Sequence, residues 1–129
     1  MNRHPDQFPT ETSDLSEAKA SDVIELADGG EFELKIAPVV KEIGDARVRM
    51  LAYNGSIPGP TLRVKEGSQI VVDVVNEGDM ENTVHWHGLR LENRYDGTHE
   101  TQTPIPVGGR FRALTALGCG RGPDPRRAV

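Results

Sequence analysis

Hydrophobic and polar positions alternate with period two through much of this chain. After the turn signal Asp28-Gly29-Gly30, Phe32, Leu34 and Ile36 alternate with Glu31, Glu33 and Lys35. That spacing predicts a strand with one buried face. Val39 and Val40 continue it beyond an irregularity at Pro38. A second strand is expected over 46–53, with Val48, Met50 and Ala52 on one face and Arg47 and Arg49 on the other. A short strand over 61–65 turns Leu62 and Val64 inward. Residues 70–75 are apolar on both sides except for Asp73, so this strand is expected to be central or covered. A fifth strand is expected to carry Thr83-Val84-His85-Trp86-His87-Gly88-Leu89. Turn clusters separate these runs, among them Asn54-Gly55-Ser56-Ile57-Pro58-Gly59-Pro60. There, prolines fix φ and glycines permit positive φ. Short strands at spacings of about ten residues predict an all-β sandwich or barrel.

The ends follow a different pattern. Residues 1–28 are polar and acidic with little periodicity, and are expected to form a flexible arm. Asp14-Leu15-Ser16-Glu17 has the form of a capping box, for a helix running only to about Ala20, too short to hold without packing partners. A long polar loop is expected from Glu92 to Gly109, of a length that is functional or disordered. From Arg112 to Val129 the sequence is rich in Arg, Gly, Pro and Ala, and a disordered tail is expected.

Composition narrows the function. The 129 residues are a one-domain length. A net charge of −5 argues against nucleic acid as the main partner. No run of about 18 apolar residues is available to span a membrane. Met1 to Thr10 lacks the basic and apolar regions of a Sec signal peptide. The one cysteine, Cys119, excludes an internal disulfide and a cysteine-built zinc site.

The candidate chemistry is at His85 and His87. On a strand, residues two apart share a face, so both imidazoles project together while Val84 and Trp86 project the other way. Their Cα atoms would be separated by roughly 6.6 Å. That is long for two rings gripping one ion and suits two neighbouring ions, one imidazole each. A histidine pair on a strand is by itself a weak signal. Asp96 is either an acceptor or proton carrier beside a metal, or part of an Asp-Gly turn. His99 is a possible ligand or a surface histidine.

Tyr53 to Gly67, then His85-Trp86-His87-Gly88, then Asp96-Gly97 and Gln102-Thr103-Pro104-Ile105-Pro106 occur in an order and spacing that resemble the first cupredoxin domain of the multicopper oxidases, the laccase-like enzymes. The resemblance covers about Phe32 to Gly109 and stops near Phe111. It implies a Greek-key β-sandwich of cupredoxin type, incomplete at its C-terminal end, over residues 29–111. It also implies copper as cofactor, with His85 on a type 2 copper, His87 on a type 3 copper, Asp96 assisting proton delivery and Trp86 structural. The complete enzyme would take dioxygen and a reducing substrate.

The chain departs from the family pattern after the Pro-rich loop, where a second His-x-His pair is missing. It has four histidines, fewer than a trinuclear cluster needs, and His4 and His99 lie outside the ligand motifs. Cys119 stands between Gly118 and Gly120, without the flanking histidines of a type 1 copper cysteine. The expectation is a domain that needs further cupredoxin domains or subunits to complete its site, with a loss of reading frame near Gly109 to Arg112 as one origin of the tail. A weak copper-binding module and a non-functional fragment are the alternatives. An electron-transfer cupredoxin would need a Cys, Met and His set that is absent. Family members are often exported, but the compartment is left open.

Overall fold

Strand β2, Glu31–Ile43, is the spine of the domain, and it changes neighbours halfway along. The computed structural model describes residues 8–116. Around β2 lie β1 (Val23–Leu26), β3 (Ala46–Tyr53), β4 (Thr61–Val64), β5 (Gln69–Asn76) and β6 (Arg110–Ala116). One sheet has the order β3-β2-β5-β6, and β1 pairs with β4 in a second, two-stranded sheet. The all-β sandwich expected from the alternation is the architecture found, with a 3-10 turn, Asn93–Tyr95, the one helical element among the described residues.

Ile36 marks the change of neighbour. Before it, β2 runs parallel to β5, from Glu31 opposite Val71 to Ile36 opposite Asn76. From Ile36, opposite Tyr53, it runs antiparallel to β3 as far as Ile43 opposite Ala46. The two-residue loop that closes this hairpin has Gly44 at φ +60, the positive φ such loops ask of their first residue. Pro38 sits just past the last β5 pair, where its missing N–H faces no partner strand.

Beyond Pro38, the edge of β2 is taken up by the N-terminal segment. The Ala18 amide donates to the Val40 carbonyl at 2.8 Å, and the Val40 amide donates to that of Ser16 at 3.0 Å. Lys19 bridges to Ser56 in the same way. Residues 8–28 therefore differ from the flexible arm expected: they hold β1 and two bridges. No helix starts at the Asp14 capping box, which opened a segment too short to hold one. Asp14 is in a turn at φ +63, and the main-chain groups of Ser16 and Ala18 are spent on β2, which offers them more than an isolated helical turn would.

The core lies between the sheets. Leu34, Ile36, Leu62, Ile70, Val72, Val74, Trp86 and Ile105 are buried together, with Ile24, Leu26, Val84 and Phe111 packed against them. β5 is central, as its two apolar faces predict, and Val72 and Val74 are fully enclosed. The opposite face of the large sheet is charged. Arg112 on β6 forks to Asp73 on β5 and Glu31 on β2, and Arg110 reaches Glu33 at 3.3 Å.

β6 corrects the expected division of the chain. The boundary between residues 111 and 112 falls inside this strand, which pairs with β5 from Val75 opposite Arg110 to Gln69 opposite Ala116. The alternation Phe111, Ala113, Thr115 supplies the inward face, with Ala113 and Thr115 buried. The remainder of the expected tail, 117–129, lies outside the described residues.

Candidate metal centre

The segment that carries the two histidines is not the regular strand expected. Only Asn82 pairs, by a two-way bridge to Ile105 with N–H to O distances of 3.1 and 2.8 Å. Thr83 to Trp86 have no ladder partner, and His87-Gly88 turn, with the Leu89 amide donating to the Trp86 carbonyl at 3.2 Å. A strand is a paired structure, and among the described residues no strand forms a ladder with this stretch. The alternation survives without the ladder. Trp86 is buried and Val84 packs against the core, while His85 and His87 face solvent.

The imidazoles are brought together as the i, i+2 spacing predicts. Their ring centroids are 5.7 Å apart with planes at 68°. His85 Nδ1 lies 2.6 Å from the main-chain oxygen of Asp96. A carbonyl oxygen accepts and cannot donate, so this contact places a hydrogen on Nδ1, and in the neutral ring the lone pair is then on Nε2. The Asp96 carboxylate is further away, with Oδ1 at 3.6 Å from Nδ1, beyond hydrogen-bond range. Asp96 therefore meets His85 through its backbone.

Asp96 is positioned by the 3-10 turn. The Tyr95 amide donates to the Glu92 carbonyl at 2.9 Å and the Asp96 amide to that of Asn93 at 3.0 Å. The Tyr95 ring meets Phe111 of β6 edge to face at 6.2 Å, and the Arg94 guanidinium lies over the Tyr95 ring at 4.7 Å. On the far side of Asp96, the Thr83 hydroxyl donates to the Gly97 carbonyl at 2.6 Å. Gly97 is buried at φ +75. These residues were hidden in the sequence inside a polar loop. Asp96-Gly97 was visible as a turn, but the contact with His85 needs the fold.

Two imidazole nitrogens suit copper, but they do not complete a coordination sphere. No group of three or more His, Cys, Asp or Glu side chains gathers among the described residues. His99 is exposed, apart from any such group, and His4 and Cys119 lie outside the described residues. No helix of the described residues is long and apolar enough to cross a membrane.

Residues 38–115 match the sequence profile of a family described as multicopper oxidase. The match carries family-like sequence past Phe111, where the resemblance was expected to stop, and through β6. Multicopper oxidase MmcO of Mycobacterium tuberculosis is 40% identical over 88 residues, 68% of this chain and 16% of that protein. Copper resistance protein A of Pseudomonas syringae pv. tomato is 38% identical over 80 residues, 62% of this chain and 13% of that protein. The crystal structure of Lac15 from a marine microbial metagenome superposes with a TM-score of 0.61 at 36% identity, covering 67% of this chain and 24% of Lac15. The chain thus spans 16% or less of the length of these two curated relatives. Its fold is that of the cupredoxin-like domains of such enzymes, and since the profile covers more than half of its residues, the chain belongs to the multicopper oxidase family, whose cofactor is copper.

Proposed function

We propose that this chain supplies two of the ligands of a multinuclear copper cluster in a laccase-like oxidoreductase. His85 binds a type 2 copper through Nε2 and His87 binds one type 3 copper. The remaining ligands come from further cupredoxin domains or subunits. The bound copper supplies one-electron redox chemistry that couples oxidation of a reducing substrate to reduction of dioxygen to water. The observation that carries this reading is the pair of solvent-facing imidazoles 5.7 Å apart, in a chain of the multicopper oxidase family. Each ring can meet its own ion, as two neighbouring metals require.

The other residues of the site bind, orient and move protons. Trp86 anchors the segment in the core so that the rings stay outward. The Asp96 carboxylate, about a third exposed and 3.6 Å from His85 Nδ1, is placed to exchange protons between solvent and the site. Because two histidines are too few for the cluster, the isolated chain holds copper weakly and does not turn over.

Copper stoichiometry tests this. At equilibrium with free copper, by dialysis, elemental analysis of the full chain is expected to give about one to two bound copper ions per chain, fewer in His85→Ala and in His87→Ala. Copper held at the wild-type level by both variants would remove the assignment. A wild-type chain that retains none would favour the reading of a non-functional fragment.

A further inference from the structure

We propose that Gly97 and Thr83 are positioning residues of the metal centre. Together they seat the Asp96 carbonyl on His85 Nδ1 and so hold His85 in the tautomer that presents Nε2. The inference rests on His85 being a copper ligand for its purpose, but not for its geometry, which is a property of the metal-free chain.

Gly97 lies directly against the peptide that joins Val84 to His85. A Cβ at this position would overlap the Val84 carbonyl group and lie 2.7 Å from the His85 amide nitrogen, a backbone contact with no room to yield. The φ of +75 is a second reason for glycine. No other residue lets the loop approach so closely. The Thr83 hydroxyl, 2.6 Å from the Gly97 carbonyl oxygen, ties the loop to the histidine segment from the other side. Between these two fastenings the Asp96 oxygen reaches Nδ1 at 2.6 Å. A histidine ligand whose second nitrogen is held by a carbonyl or carboxylate has its ring orientation and tautomer fixed before the metal arrives.

The distinguishing point is which oxygen of Asp96 does the holding. If the backbone holds the ring, Asp96→Asn leaves the tautomer unchanged and Gly97→Ala does not. If the carboxylate holds it, the reverse is true.

The experiment is long-range proton–nitrogen NMR of the full, metal-free chain at about pH 8, where histidine is neutral. His85 is expected to show Nδ1 protonated and Nε2 bare, in the wild type and in Asp96→Asn alike. Loss of a hydrogen bond of ordinary strength in Gly97→Ala is expected to lower the ratio of Nδ1-protonated to Nε2-protonated ring by about fivefold. Thr83→Val removes only the hydroxyl tie and is expected to lower it in the same direction. That variant decides the matter if Gly97→Ala loses the fluorescence of buried Trp86 and with it the fold. A wild-type His85 protonated on Nε2 overturns the proposal, as does loss of the pattern in Asp96→Asn with its retention in Thr83→Val. Copper retention is measured separately. A chain with the expected tautomer and no copper would sink the metal assignment while leaving the positioning role intact.

Discussion

The side-chain amide of Asn76 donates to the main-chain oxygen of Ile105 at 2.9 Å, inside the protein and out of reach of water. The same nitrogen donates to Met80 at 2.9 Å, and the side-chain oxygen accepts from the Gly78 amide at 2.9 Å. One fully buried residue thus joins the end of β5 to both segments that meet at the Asn82–Ile105 bridge. Asn76→Ala leaves these groups short of partners and is expected to cost about 2–3 kcal/mol. Urea unfolding followed by tryptophan fluorescence measures it. A loss below about 1 kcal/mol would show that water takes over the role of the amide.

Trp86 is the one tryptophan of the chain and belongs to the core cluster. Trp86→Ala is expected to cost about 3–5 kcal/mol, a large part of the stability of a domain this size. Trp86→Phe keeps an aromatic body in the core and is expected to keep copper retention near the wild-type value. Circular dichroism gives the stability and elemental analysis the copper. Loss of copper from a folded Trp86→Phe chain would contradict an anchoring role.

Arg49 and Asp79 form an ion pair at 2.5 Å, with side chains 15% and 20% exposed. It links β3 to the loop after β5, and Arg49 also donates to the Glu11 carbonyl at 3.2 Å. Asp79→Ala is expected to cost about 1–2 kcal/mol. The loss should persist in high salt, because partly buried pairs are screened less than exposed ones. If 1 M salt (a Debye length of about 3 Å) erased the difference between Asp79→Ala and wild type, the pair would count as a surface contact.

Burial raises the Tyr53 phenol above its ordinary value near pH 10. The folded chain then keeps a proton that the unfolded chain gives up first. The contribution is fully present below about pH 10 and is lost as pH rises through the folded value. Tyr53→Phe should therefore flatten the alkaline limb of the stability profile. With the residue 38% exposed, the effect is expected to be small. An unchanged limb would show that the ring titrates as it does in water.

The strands that alternate strongly were legible in the sequence: Phe32-Leu34-Ile36, the two-sided apolar run 70–75 and the outward pairing of His85 with His87. Each is a local pattern that the pleat imposes. What escaped notice depends on distant partners. Ser16-Glu17-Ala18 carry no strand pattern, yet Val40 offers them main-chain hydrogen bonds. Residues 110–116 were divided between domain and tail because two of their exposed positions are arginines, which pair across the sheet with Glu31, Glu33 and Asp73. At the site, His85 and His87 were visible as a motif. The roles of Thr83, Gly97 and the Asp96 backbone were not, since a carbonyl contact leaves no mark on residue type.

The change of neighbour along β2 also bears on how the chain reaches this structure. Among the described strand pairs only the β2–β3 hairpin is closed by a short loop, whereas Val23 pairs with Thr61, Glu31 with Val71 and Gln69 with Ala116. Such distant pairings carry a loop-closure cost before they return any stability. The hairpin can form by itself. The histidine segment waits for Ile105, Asp96 and β6, all later in the chain. Substitutions there are expected to speed unfolding more than they slow folding. Copper captured by His85 and His87 would then act as a brake on unfolding, not as a guide to folding.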